Sequence, residues 1–236
     1  MQQPLGIIIP VYNEGANIEA TLLAIEQNIH TPHNTYIVYD FEDDNTLPVV
    51  KKMQAKGLPI ELLKSLVPGV ANAIKTGLIH APDDYLLVTM ADLSDDYSIV
   101  DRMCKLMSQG YDLVCGSRYT KGGRQIGGPF FKKFLSRTAG ISLEYLAGLP
   151  VHDVTNSFKL YRKSMLNEIE MQSEDGFEIG MEITVKAHFA GYKITELPCI
   201  WTYRQAGQSR FKILKWIPKY LRWYFFALNR SIRKKI

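Results

Sequence analysis

Apolar and polar positions follow two rhythms along the first half of the chain. Residues 5–11 are a short apolar run rich in isoleucine, the pattern of a strand buried on both faces in a parallel sheet. Residues 16–28 carry Ile18, Leu22 and Ile25, with Ile29 just beyond, at helical spacing. The alternation then repeats. Strands are predicted at 36–40, 60–63, 85–90 and 112–116, and helices at 47–56, 70–79 and 98–107. Strand and helix in turn imply βαβ units and a mostly parallel sheet flanked by helices, an α/β fold. The second half is less regular. Residues 121–129 (KGGRQIGGP) read as a loop. Residues 130–147 and 178–190 read as helices, and 158–161 and 194–201 as strands. In such sheets ligands bind beyond the carboxyl ends of the strands, so the loops there are the places to seek chemistry.

The chain of 236 residues carries a net charge of +4, which conceals an asymmetry. Residues 197–236 hold ten Lys and Arg and no Asp or Glu, so a body of net −6 precedes a tail of +10. Such a split points to a membrane or nucleic-acid partner. An acidic body repels a phosphate backbone, which argues against nucleic acid. The 46% apolar content excludes a disordered chain. Three scattered cysteines, Cys104, Cys115 and Cys199, form neither a disulfide framework nor a zinc site, and read as buried thiols of a reducing compartment. The N-terminus lacks the basic start of a signal peptide, and no apolar run reaches the ~18–20 residues of a spanning helix. The expectation is a protein on the cytoplasmic side, soluble or peripheral.

Several strand ends carry candidate chemistry. Tyr12 and Glu14 follow the first strand, where a ring can stack and a carboxylate can read N–H groups. A plain strand-to-helix turn is the alternative. The second strand runs into four acids in five positions, with Asp40 nearest its end and Asp44 or Asn45 placed to cap the next helix. Asp92 follows the fourth strand and suits a divalent cation, or else this loop caps the next helix through Ser94, Asp95 or Asp96. Arg118, with Lys121, Arg124, Lys132 and Lys133 nearby, makes a phosphate-binding neighbourhood whose glycine-bearing loop could serve as a lid. Glu178 and Glu182, four apart, share a helix face; one could be a base, or both could answer the helix dipole.

Taken together, these segments resemble the family 2 inverting glycosyltransferases of the GT-A (Rossmann-like) fold, most of all the branch that glycosylates dolichyl or polyprenyl phosphate. The carrying segments are PVYNE, the 40–46 loop, GVANAIKTG, MADLSDD, GSRYTKGG, DVTNSFKLYR, GFEIGMEI and RQAGQSRF, in the family's order over about 5–212. The resemblance implies transfer of a sugar, with inversion, from a nucleotide-diphosphate sugar to a lipid phosphate. It assigns Pro10, Tyr12, Glu14 and Asp40 to the nucleobase and ribose, and Ala91 and Asp92 to the diphosphate and a Mg²⁺ or Mn²⁺ ion. It assigns Arg118, Lys132, Ser136 and Arg204 to phosphates. The sequence departs from the family at its metal motif: Met90 replaces the first Asp and Ser94 the Gln, which leaves Asp92. Were the acceptor a saccharide hydroxyl, a base would be needed, with Glu178, Glu182 and Asp153 as candidates. A non-catalytic nucleotide-sugar-binding protein is the third reading.

The tail completes the expectation. Trp216, Tyr220, Trp223, Tyr224 and Ala227 fall at helical spacing, with Lys212, Lys215, Lys219 and Arg222 on another side, and Pro218 is expected to start or kink part of the helix. Aromatics interleaved with cations suit a headgroup layer. A glycosyltransferase domain over 1–211 and a basic amphipathic tail over 212–236 are therefore expected, with an anionic membrane surface as partner and an integral-membrane protein as a further candidate. A helix packed on the body with its cations in solvent is the alternative.

Overall fold

The computed structural model describes residues 5–174, 176–204 and 213–234. Its centre is a seven-stranded sheet in the order β3-β2-β1-β4-β7-β5-β8. The strands are β1 (Leu5–Pro10), β2 (His33–Tyr39), β3 (Ile60–Lys64), β4 (Tyr85–Val88), β5 (Leu113–Ser117), β7 (Lys159–Arg162) and β8 (Ile194–Pro198). All pairings are parallel except those of β7, which runs antiparallel between β4 and β5. The sheet is thus mostly parallel, as the alternation predicts.

β1 explains why the sheet is a middle layer. Every residue from Leu5 to Pro10 is buried. Ile7 and Ile9 join one core with Ile18, Leu22 and Ile25 of α1 (Ile18–Asn28) and Val100 and Met103 of α4 (Val100–Ser108). Ile8 points the other way, to Ala73, Ile74 and Leu78 of α3 (Val70–His80) and Ile179 and Ile183 of α7 (Ile179–Ala190). Period-two alternation within a wholly apolar strand therefore feeds two helical layers. Gly77 permits the closest approach, since a Cβ there would lie 2.3 Å from Ile8 Cγ2. Further helices are α2 (Thr46–Ala55), α5 (Phe130–Ala147) and α6 (Lys163–Glu168). All three cysteines are free and buried.

Three features differ from the sequence expectation. The glycine loop contains a short strand, β6 (Arg124–Ile126), paired in parallel with β9 (Ile200–Thr202), so its middle is anchored. The strand expected over 194–201 breaks at Cys199 into β8 and β9, which belong to two sheets. The C-terminal helix α8 (Ile213–Lys234) continues through Pro218 and packs against α5 and α7. Its aromatic stripe is core: Trp216, Trp223 and Ala227 are buried, and Trp223 and Ala227 join Leu143, Met181 and Val185. Tyr224 donates to Ser142 Oγ (2.9 Å) and Trp223 Nε1 to Ser173 Oγ (3.1 Å). The aromatic side of the tail is thus docked on the body. The boundary expected at 211/212, together with Arg210 and Lys212, lies outside the described residues.

Candidate active site

The loops at the carboxyl ends of β1, β2, β4 and β5 surround a cleft of about 770 Å³, closed on its far side by α5, α7 and α8. Pro10, Tyr12, Glu14, Asp40, Ala91, Asp92, Arg118, Lys132, Ser136 and Arg204 all line it. Residues spread over nearly the whole sequence thus meet in one cavity.

The first wall is built by two loops that lock together. Asp44 is buried and accepts from Asn13 N (3.0 Å) and Thr46 N (2.8 Å). Glu14 N donates to Thr46 Oγ1 and Gly15 N to Asn45 Oδ1, both at 2.9 Å. Asn13 takes the left-handed conformation, with φ of 55°, to make this turn. The acidic loop is thereby a brace, and Asp40 is the acid it leaves at the cleft. Asp40 Oδ2 accepts from Gly69 N (3.0 Å), while its Oδ1 is buried and accepts nothing among the described residues. A buried acceptor without a donor marks the place of a ligand's N–H or O–H. Beside it the rings of Tyr12 and Phe41 tilt together at 5.2 Å.

The floor comes from β4. Thr21 Oγ1 holds Ala91 O at 3.0 Å. The acids of the following loop divide their work. Asp96 caps the next turn through Ser98 N and also accepts from Ile200 N. Asp95 turns inward to Thr89 Oγ1 (2.8 Å) and Met90 N (3.2 Å), and burial pushes its carboxyl up to about 7 against those hydrogen bonds. Asp92 faces the cleft. Its Oδ1 accepts from Ser94 Oγ (2.6 Å), and its Oδ2 lies 3.8 Å from Arg204 Nε. Arg204 in turn donates to both carboxylate oxygens of Glu14, at 2.8 and 2.9 Å. This donor set does not fit a hard divalent cation, which needs several oxygen ligands. It offers a thioether, one carboxylate and a guanidinium. The described residues hold no group of three or more His, Cys, Asp or Glu suited to a metal.

The third wall carries cations. Arg118 Nε and Nη2 grip Asp153 at 2.6 and 2.7 Å, and its backbone N also donates to Asp153 Oδ2. Burial alone weakens the charged guanidinium, but Asp153 overrides it and raises the pKa further. The rings of Tyr119 and Trp201 flank the guanidinium at 5.0 and 5.7 Å. Tyr119 Oη bonds to Ser136, which sets α5 and with it Lys132 and Lys133 along the same wall. Burial lowers the Lys132 pKa. The fully buried Lys159 ties the loop after Asp153 to α7, donating to Val154 O (2.7 Å) and Gly180 O (2.9 Å). Gly140 lets α5 approach that loop, since a Cβ there would meet His152 O at 1.8 Å.

From these cations the cleft runs on into an apolar trough of Leu135, Ala139, Phe177, Met181, Trp216 and Tyr220. Sequence reasoning missed this half; the aromatic spacing of the tail was its signal. Asp153, Glu178 and Glu182 do not line the cleft. Asp153 is spent on Arg118. Glu182 accepts from Gln172 N (2.6 Å), Ser173 N (2.7 Å) and Lys186 Nζ (2.7 Å). Glu178 is buried at the start of α7.

Known proteins resemble this chain in sequence and in fold. The chain is 29% identical over 223 residues to a dolichol-phosphate mannosyltransferase of Pyrococcus furiosus, covering 92% of this chain and 62% of that protein. The chain thus spans less than two thirds of that relative. It is 26% identical over 238 residues to a polyprenol monophosphomannose synthase of Mycolicibacterium smegmatis, covering 89% of this chain and 85% of the other. Among solved structures, glucosyl-3-phosphoglycerate synthase of Mycobacterium tuberculosis, in complex with Mn²⁺, uridine diphosphate and glucosyl-3-phosphoglycerate, superposes with a TM-score of 0.68 at 15% identity. That match covers 97% of this chain and 80% of the other, and it shows a shared GT-A fold. The glycosyl transferase family 2 profile matches residues 6–170, and the chain belongs to that family.

Proposed function

We propose that this protein transfers a sugar from a nucleotide-diphosphate sugar to a polyprenyl phosphate. The observation that carries the reading is the continuity of the cleft. A polar end bearing Asp40, Glu14 and Arg204 adjoins three further cations, Arg118, Lys132 and Lys133, and these adjoin an apolar trough. A nucleotide, a phosphate and a prenyl chain present those three chemistries in that order. The names of the relatives support the same acceptor class.

The chemistry asks little of a base. A lipid phosphate is ionised at neutral pH, so one of its oxygens attacks the anomeric carbon directly. The bond from that carbon to the diphosphate breaks, and the nucleoside diphosphate leaves with the electron pair. A single in-line displacement of this kind inverts the anomeric configuration. The protein's share is positioning and charge compensation. Asp40 takes a donor group of the nucleotide, Tyr12 and Phe41 supply an aromatic wall, and Arg118, Lys132 and Ser136 orient the incoming phosphate. Asp153 holds Arg118 in place. The engagement of Asp153 and Glu182 elsewhere counts against a saccharide-hydroxyl acceptor.

The acceptor chain brings the membrane with it. Leu221, Phe225 and Ile232 form an exposed apolar stripe on α8, and Phe130, Phe131 and Phe134 are exposed on α5. Arg222, Arg230 and Arg233 are exposed on the same helix as the stripe. These features suit a peripheral site on the cytoplasmic face of an anionic membrane. No helix of the described residues is long and apolar enough to cross one.

The test is multiple-turnover release of nucleoside diphosphate from UDP-, GDP- and CDP-sugars on addition of polyprenyl phosphate. Release that depends on the lipid and survives Glu178→Gln and Glu182→Gln is expected. Release that needs a saccharide instead, and is lost in those variants, would assign the acceptor to the hydroxyl class. Binding without turnover would leave a nucleotide-sugar-binding protein.

A further inference from the structure

The arrangement around Asp92 departs from what a metal-assisted site requires. Asp92 has one carboxylate oxygen engaged by Ser94 Oγ, and the other faces Arg204 Nε at 3.8 Å. Asp95 and Asp96, the next acids along the chain, turn away to Thr89 and Met90 N, and to Ser98 and Ile200 N. Met90, at the preceding cleft position, brings a soft thioether and leans on the core beneath α3. A divalent cation at Asp92 would compete with the Arg204 guanidinium for that carboxylate and would find too few further oxygens. Arg204 itself is held from the other side by both oxygens of Glu14, so its guanidinium is moored between two carboxylates.

We infer that Arg204, moored between Glu14 and Asp92, is the counter-charge for the donor diphosphate, and that this chain binds its donor without a divalent cation. The inference rests on the donor being a nucleotide-diphosphate sugar. A guanidinium presents donors in a rigid fork that matches phosphate oxygens, and it carries its charge at every accessible pH. The two carboxylates orient it before any ligand arrives, so little ordering is left for binding to pay. Met90 follows from the same design: where a guanidinium compensates the charge, the position needs no hard ligand.

The experiment is calorimetric titration of the full chain with UDP, GDP and CDP, in excess EDTA and in excess Mn²⁺. The wild type is expected to bind one of them with a Kd that differs by less than about twofold between the two buffers. Arg204→Gln should weaken binding about tenfold in both, the loss of one charge-assisted phosphate contact. Met90→Asp, which restores a second carboxylate, should make binding tighter in Mn²⁺ than in EDTA. Circular dichroism melts confirm that each variant is folded, and the wild-type comparison stands without them. Wild-type binding that is about tenfold or more tighter in Mn²⁺ overturns the inference and leaves the donor reading intact. Full affinity in folded Arg204→Gln also overturns it. Binding of no nucleoside diphosphate in either buffer overturns both.

Discussion

Arg118 and Asp153 meet in a two-pronged ion pair, Nε to Oδ2 at 2.6 Å and Nη2 to Oδ1 at 2.7 Å, with the carboxylate fully buried. Removing one partner of such a pair strands a buried charge, at a cost of about 3–5 kcal/mol. Asp153→Ala is therefore expected to lower unfolding free energy by that amount in urea titrations. Asp153→Asn keeps the shape and slackens the hold on Arg118. Its turnover with polyprenyl phosphate should fall by about tenfold to a hundredfold while nucleotide affinity stays level, because geometry at the incoming phosphate is what it loses. A parallel loss of nucleotide affinity would show that Asp153 serves the whole cleft.

Asp40 makes a sharper test of the nucleotide end. Its Oδ1 is buried without a partner among the described residues, so the unliganded protein carries a cost that a ligand donor relieves. Asp40→Asn should reduce affinity for the preferred nucleoside diphosphate by about tenfold, the value of one hydrogen bond to a charged group. The melting temperature of the unliganded variant should not fall. Unchanged affinity would remove Asp40 from the binding site.

Much of this architecture is legible from residue patterns, and the gaps have physical causes. The apolar run at 5–11 announces a buried parallel strand, and β1 (Leu5–Pro10) is one. The spacing of Trp216, Trp223 and Ala227 announces a helix with an aromatic face. Periodicity alone does not say whether that face meets lipid or protein, and it meets α5 and α7. β6 is three residues long and set among glycines, too short for any periodic signal. The antiparallel direction of β7 is decided by the path of the chain around it. Chemistry is harder still. Ser94, Asp95 and Asp96 look equally placed to cap the turn after β4, yet Asp96 does so and Asp95 turns inward to Thr89. Glu182 is spaced like a base, but its carboxylate caps the backbone at Gln172 and Ser173.

Asp95 gives the protein a pH signature. Burial raises its carboxyl from the ordinary 3.8 to about 7, so the folded state binds a proton that the unfolded state has released between those values. The contribution is fully present below the lower value and is lost as pH rises through the upper one. Melting temperature should decline by several degrees more across that interval in the wild type than in Asp95→Asn, at about 2–4 °C per kcal/mol for a chain of this size. Identical pH profiles would show that Asp95 ionises freely.

The exposed stripe on α8 predicts how the protein meets a membrane. Leu221 and Phe225 are 42% and 55% exposed and stand outside the apolar cluster that joins α8 to α5 and α7, Leu221 also lining the cleft. Replacing both by Glu should leave the melting temperature within about 1–2 °C, as surface substitutions do. Sedimentation with vesicles of anionic lipid should fall about tenfold or more, since each large apolar side chain transferred out of water is worth about 1.5–3 kcal/mol. Equal partitioning of the variant and the wild type would mean that another surface, or none, binds the bilayer.

The acceptor proposed for this cleft is a lipid phosphate, and the fate of a labelled sugar reads it out. Purified protein is given each labelled nucleotide-diphosphate sugar with polyprenyl phosphate in detergent or vesicles, and the organic phase is analysed for a sugar joined to the lipid through one phosphate. Label from one of the nucleotide sugars is expected there, with the anomeric configuration opposite to the donor's. Label recovered only in water-soluble saccharide, or a lipid product that retains the donor's configuration, would contradict it.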